Sequence, residues 1–321
     1  MGESDDLWDV IVNNDDICFK YILPRLNQTD VKFLFEVNTE TRALIKRSSR
    51  ASELTEFFNI EEISSISTLE FAWFDLFLWP SWGWDQTMFC ERVASTNKLE
   101  LLKWIREEKK CEWNVGTMNA AAEQGNLEMV KYCVANECPV DERACAFAAE
   151  NGHLECLKYL REEVKAPWDK STATFAAQNG HLHILEYLVE RKFYEYDTIA
   201  CSDAASNGHL HCLKFLHETA KAPWDSDTAK FAAKKGHLHI LEYLVERNYD
   251  EYSTFACSDA ASNGHLDCLK YLHETAEAPW DWLAVHRAHR NNHLECVQYL
   301  LDNECPLPDG WRYEKGVLHT S

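Results

Sequence analysis

No stretch of this 321-residue chain approaches the ~20 consecutive apolar side chains needed to span a bilayer. The richest segment, FAWFDLFLWPSWGW at 71–84, is short and is broken by Asp75 and Pro80. A membrane role is therefore not expected. The opening MGESDDLWDV lacks the basic stretch followed by an apolar run that marks a secretory signal. Its sixth residue, Asp6, is not the Ser or Thr that N-myristoylation requires. Positive charge is scarce as well: 32 Lys and Arg face 53 Asp and Glu, a net charge of −21. A nucleic-acid backbone would be repelled by such a surface, so nucleic acid is not an expected partner. No nucleophile elbow, phosphate loop, HExxH or paired-carboxylate motif occurs, so neither an enzyme nor a bound cofactor is expected. Thirteen cysteines, an odd number without a signal, read as reduced thiols in the cytoplasm or nucleus.

What is present is repetition. The twelve residues GHLHILEYLVER occur at 180–191 and again at 236–247. Aligned on the glycine, the series runs Asn97, Gly125, Gly152, Gly180, Gly208, Gly236, Gly264, Asn292, with one interval of 27 and the others of 28. Eight units cover roughly 84–310. Residues 169–224 and 225–280 match at 43 of 56 positions, the mark of a duplicated two-unit block.

Within a unit, a Leu two residues after the glycine, an apolar residue three further on, an aromatic two beyond and another apolar residue next trace one face of a helix, here helix B. Leu182, Leu185, Tyr187 and Leu188 are one set. Before the glycine lies a small pair such as Ala176-Ala177, which lets a preceding helix A approach helix B. Asn179-Gly180 suits a helix end that needs positive φ. An aromatic-polar pair with the same period (Trp84-Asp85, Trp113-Asn114, Trp168-Asp169, Tyr196-Asp197, Trp224-Asp225, Tyr252-Ser253, Trp280-Asp281, more weakly Val140-Asp141 and Pro308-Asp309) supplies an N-cap to helix A and an apolar staple before it. Helices of about ten residues are not stable alone, so the hairpins must stack. The expected fold class is all-α: an α-solenoid of stacked helix-turn-helix units with an N-terminal helical cap.

The stretch STATFAAQNGHLHILEYLVE at 171–190 resembles the ankyrin repeat, whose core reads roughly TPLHxAAxxGHxxVVxxLL, in its Ala-Ala, Asn-Gly-His and Leu positions. It departs in lacking the TPLH tetrapeptide and in a period of 28 rather than about 33. The shorter period predicts that the β-hairpin finger between units is missing. The resemblance implies a non-catalytic scaffold whose groove, lined by the residues just before the glycine and by a helix A column five before it, binds a protein partner. Those residues are Glu150, Asn151, Phe175, Gln178, Asp203, Ser206, Phe231, Lys234, Lys235, Asp259 and Ser262.

Residues 1–50 do not follow the repeat. The spacing Leu26-x3-Asp30-Val31-x2-Leu34-x2-Val37-x4-Arg42 resembles the second half of an F-box, with Thr29-Asp30 as a helix start. That resemblance implies docking on the adaptor subunit of a cullin-type ubiquitin ligase through Ile22, Leu23, Leu26, Val31, Leu34 and Val37, which would make the chain a substrate-recruiting subunit. Asn14-Asp15 replaces the usual Leu-Pro start, and the late Trp is lacking. The alternative is a helical segment that only caps the first repeat. Residues 51–83 read as a degenerate capping repeat, with Leu69, Phe71 and Phe74 in the helix B positions, and 311–321 as a C-terminal tail.

The competing chemistry is metal. HLxC recurs at His153/Cys156, His209/Cys212, His265/Cys268 and His293/Cys296, a spacing that suits zinc on one helical face. The cysteine column, however, also holds Leu101, Met129, Ile184 and Ile240, as a core position does. A metal-binding module or metalloenzyme is the second reading. The histidine after the glycine is expected to bond backbone near the A–B turn. The second histidine of HLH (His183, His211, His239) shares a column with Glu and Asp and is expected to be solvated.

Overall fold

The computed structural model describes residues 18–37, 39–52, 60–74, 86–314 and 316–319. The pair Trp84-Asp85 and the segments 53–59 and 75–83 lie outside the described residues. The chain forms two compact bodies, 1–140 and 141–321.

Eight helical hairpins follow one another, and the arrangement is that of an α-solenoid. The first body holds helix A 86–95 with helix B 99–107, then 115–123 with 127–135. The second holds 142–150 with a B helix from 154, 170–178 with 182–190, 198–206 with a B helix from 210, 226–235 with 238–246, 254–262 with 266–274, and 282–290 with 294–302. No strand occurs in the segments that join them. No helix among the described residues is long and apolar enough to cross a membrane.

Six of the eight A helices start with the cap bond that the sequence indicates. Asn114, Asp141, Asp169, Asp197, Asp225 and Asp281 sit in extended backbone and accept the N–H two residues on, from 2.8 to 3.1 Å. Ser253 occupies the same place without a side-chain cap bond. Pro308-Asp309 precedes a turn rather than a ninth helix, and the expected tail instead forms a β-hairpin, Arg312–Glu314 against Val317–His319. Trp311 packs edge-on against Trp282 of the last A helix, ring centroids 5.2 Å apart.

The alanines do something other than expected. The tightest packing runs between successive A helices, not within a hairpin. Ala173, Ala176 and Ala177 are fully buried, as are Ala204, Ala205, Ala232 and Ala233. Only small side chains let neighbouring A helices come this close. The B helices contribute the bulk: Ile184, Leu185 and Leu188, with Ile240, Leu241 and Leu244, are fully buried.

The A–B turn carries glycine for two reasons. Gly208 has φ +75°, and a Cβ there would lie 2.9 Å from Cε1 of His237 in the following hairpin. The same imidazole reaches back to the Ser206 carbonyl at 3.1 Å, as His181 reaches Glu150 at 2.9 Å. The expected histidine–backbone bond therefore exists, and it joins adjacent hairpins. His183 and His239 add bonds to the carbonyls of Gly152 and Gly208, at 3.0 and 3.1 Å, so these exposed rings are not merely solvated. Where the histidine is replaced, another donor does the work: Lys98 donates to the Ile63 carbonyl, and Asn126 to Asn97 Oδ1 at 2.8 Å.

The hairpins alternate in how helix B closes. In the odd ones, a backbone N–H bonds a carbonyl six residues back: Cys111 to Ile105, Ala166 to Leu160, Ala222 to Leu216, Ala278 to Leu272. In the even ones it bonds five back: Cys138 to Cys133, Phe193 to Leu188, Tyr249 to Leu244, Cys305 to Leu300. The odd hairpins also stack a cationic or imidazole side chain on the following Trp. Arg106 lies over Trp113, Arg161 over Trp168, His217 on Trp224 and His273 on Trp280, at 3.6 to 4.4 Å. The two-hairpin period thus extends beyond the duplicated block.

In the first body, Leu23, Val31 and Ile45 form a small core with Phe19, Leu26, Leu34 and Phe35 against it. Helix 28–37 starts at Gln28, not at Thr29-Asp30. Its cap is Asn27, whose Oδ1 accepts the Asp30 N–H at 2.7 Å. The short turn 60–62 packs on helix 86–95, and helix 66–74, with Leu69 buried, packs on helix 99–107. The two elements thus pack on the helix A and the helix B of the first hairpin respectively. The side chains of Phe71 and Phe74 lie outside the described residues.

Candidate functional site

The packing removes the metal reading. Cys156, Cys212, Cys268 and Cys296 are at most 2% exposed. Burial pushes the Cys156 thiol up to about 11 and Cys145 up to about 12, so neither offers a thiolate at neutral pH. The neighbouring histidines are turned to the preceding hairpin, His209 over Gly180 and His265 over Gly236. Among the described residues no group of three or more His, Cys, Asp and Glu side chains is placed to hold a metal.

Of the residues assigned to adaptor contact, Leu23 and Val31 are buried in the segment's own core and Leu26 and Leu34 pack against it. The side chain of Val37 lies outside the described residues.

The groove candidates all fall in the second body, at the exposed edge and C-terminal ends of successive A helices. Asn151, Lys234 and Lys235 are exposed; Glu150, Phe175, Gln178, Asp203, Ser206, Phe231, Asp259 and Ser262 are half-buried. Several also serve the stack. The Glu150 and Ser206 carbonyls receive the histidines, and Ser262 accepts the Asn291 amide on both its carbonyl and its hydroxyl, at 2.8 and 2.9 Å. Partial burial, then the nearby Asp197, raises the pKa of Asp203. Arg287 forms an ion pair with Asp259 and sits over the Phe255 ring at 5.8 Å. Sequence reasoning overlooked Arg287, although it continues the column Phe147, Phe175, Asp203, Phe231, Asp259 by one hairpin.

The inter-hairpin imidazoles set a pH window. Desolvation first, and then nearby imidazoles, hold His181 and His237 below the ordinary 6.5, against the raising effect of their backbone bonds. The unfolded chain therefore binds protons that the folded chain refuses, and stability falls as pH drops below about 6.5. The melting temperature, measured from pH 7.5 to 5.0, should fall in that range. The double variant His181→Asn/His237→Asn, which copies Asn126, should flatten the fall. An unchanged slope would remove the histidines from the account. The carboxylates Glu162 and Glu218, held below 4.5 by Arg191 and Arg247, act in a separate, more acidic window.

The family model for ankyrin repeats (3 copies) matches in overlapping windows, 91–170, 118–199, 147–227, 173–255, 201–279 and 229–309. These cover more than half of the sequence, and the chain belongs to the ankyrin-repeat family. Comparison with curated proteins gives no match. Among solved structures, the pentatricopeptide repeat protein PPR10 in complex with an 18-nt psaJ RNA element is 15% identical, with a TM-score of 0.37 over 86% of this chain and 42% of that one. PPR10 from maize is 12% identical, with a TM-score of 0.33 over 92% and 46%. The chain spans less than half the length of these proteins, and likeness at this level carries no argument about what it binds.

Proposed function

We propose that this chain is a non-catalytic scaffold that binds a partner protein through the exposed residues of its A helices. The observation that carries this reading is where the duplicated block has diverged. The B helices 182–190 and 238–246 are identical in sequence, as are the glycines and buried alanines around them. Within helix A of the same hairpins, Lys170, Ser171, Thr174, Gln178 and Asn179 have become Ser226, Asp227, Lys230, Lys234 and Lys235. The loops and first turns differ likewise, Tyr194 against Asp250 and Ile199 against Phe255. Of the 13 differences between the copies, five fall in this helix A and its C-cap and five in the loop and first turn that follow, among them the buried Phe193 that becomes Tyr249; only three, His211 to Asp267, Phe215 to Tyr271 and Lys221 to Glu277, fall on or just after the next B helix. Change is thus concentrated on the helix A side of a largely fixed frame, as befits a scaffold that presents a recognition face.

A photo-crosslinking residue placed at Phe231 or Gln178 should capture partner protein, and one at Glu242 on helix B should not. Equal capture from both faces would refute the assignment. The finer reading of residues 1–50, docking on a cullin-ligase adaptor, is supported by the Leu26–Arg42 spacing. Full-length protein that fails to retain the adaptor leaves this segment with its packing role alone.

A further inference from the structure

Charge on the last three hairpins is segregated in a way that stacking does not require. Their B helices, 238–246, 266–274 and 294–302, carry six carboxylates against the single Lys270. Their A helices carry Lys230, Lys234, Lys235, Arg287 and Arg290 against Asp227 and Asp259. The N-cap carboxylates Asp225 and Asp281 lie at the N-terminal ends of their helices, the end that also bears Trp282, and each accepts a backbone amide. A basic face thus stands on a chain of net charge −21.

Cations at a helix C-terminus favour the macrodipole by about 0.3–1 kcal/mol. That effect would place them on every A helix. Yet helices 142–150, 170–178, 198–206 and 254–262 have none in the last turn. The A helices of the last three hairpins also supply apolar anchors: Phe255 is 47% exposed and Trp282 39%, and Phe231 is half-buried beside Lys230. Exposed aromatics with an ordered arginine are the composition of interaction hot spots.

We infer that the A-helix face of the last three hairpins docks an acidic segment of a partner protein that carries aromatic or aliphatic residues among its carboxylates. This rests on the scaffold reading above and names the chemistry of the partner. Carboxylates pair with Lys234, Lys235 and Arg290, and the apolar residues lie on Phe231, Phe255 and Trp282. A long polyanion would meet the negative remainder of the chain, whereas a short acidic segment meets only the patch.

The test is selection of a random twelve-residue peptide display library on the full-length protein. A parallel selection uses the triple variant Lys230→Thr/Lys234→Gln/Lys235→Asn, which restores the residues of the fourth hairpin and so preserves folding, as circular dichroism would verify. Peptides enriched on the wild type should be acidic with at least one aromatic or large aliphatic residue. They should bind the variant at least tenfold more weakly and lose affinity as salt is raised. Peptides without acidic bias, or equally enriched on the variant, overturn this inference and leave the scaffold reading standing. A selection that enriches no peptide on the wild type above background overturns both. Polyuridylate that binds the wild type and competes for the lysines overturns the inference in favour of RNA.

Discussion

Leu185→Ala should lower the unfolding free energy by about 2–5 kcal/mol. Leu185 is fully buried in helix B 182–190, between Ile184 and Leu188, which are also fully buried. Truncation removes three heavy atoms from a site bounded by two stacked hairpins, and the alanine-lined A helices have no large side chains that could move into the space. The loss should appear in denaturant melts as a lower midpoint. In a repeat array, where each hairpin leans only on its neighbours, it can also split the transition in two. Leu182→Ala, at a half-buried position of the same helix, is the comparison and should cost distinctly less. A change under about 1 kcal/mol at Leu185 would mean that the B helices are not the core.

Gly208→Ala should be nearly as damaging, by about 2–4 kcal/mol, for two separable reasons. A non-glycine residue in the left-handed region costs about 1–3 kcal/mol. The new methyl also meets the His237 ring, which can retreat only by giving up its bond to the Ser206 carbonyl, worth about 0.5–1.5 kcal/mol. A double-mutant cycle with His237→Ala separates the terms. Gly208→Ala should be milder in that background, since only the backbone strain remains. Additive effects would show that the imidazole does not confine the glycine. The natural sequence bears on this already. The glycine column admits Asn97, at φ 61°, where the following hairpin has Asn126 in place of histidine. It admits Asn292, at φ 62°, where a β-hairpin rather than another helical hairpin follows among the described residues.

Much of this was legible in the sequence because a repeat reports each position eight times. The column of Leu101, Met129, Cys156 and Ile184 declares itself core by what it tolerates, and the Trp-Asp pairs declare their caps by spacing. What the spacing could not reveal was which element each small or polar residue faces. The paired alanines serve A–A contact, and the histidines bond backwards across the hairpin boundary; both are relations between units, invisible to a pattern read within one. The same holds for residues 18–50, where the apolar spacing that resembles an F-box is filled by the segment's own core of Leu23, Val31 and Ile45. The proposed recognition face was legible only in part, because side chains free of packing carry no internal rule. Its clearest trace is the contrast between two copies of one block, Gln178-Asn179 and Lys234-Lys235.

The alternation of closing turns fixes the step by which such a chain can lengthen. Excising one odd hairpin would set two like closures in succession and leave an indole without its cation or imidazole cover. Excising 56 residues would restore every junction. The doublet is therefore the step that keeps every junction intact, and recombination between the two like doublets 169–224 and 225–280 would exchange one set of exposed side chains for another while the spine is left untouched.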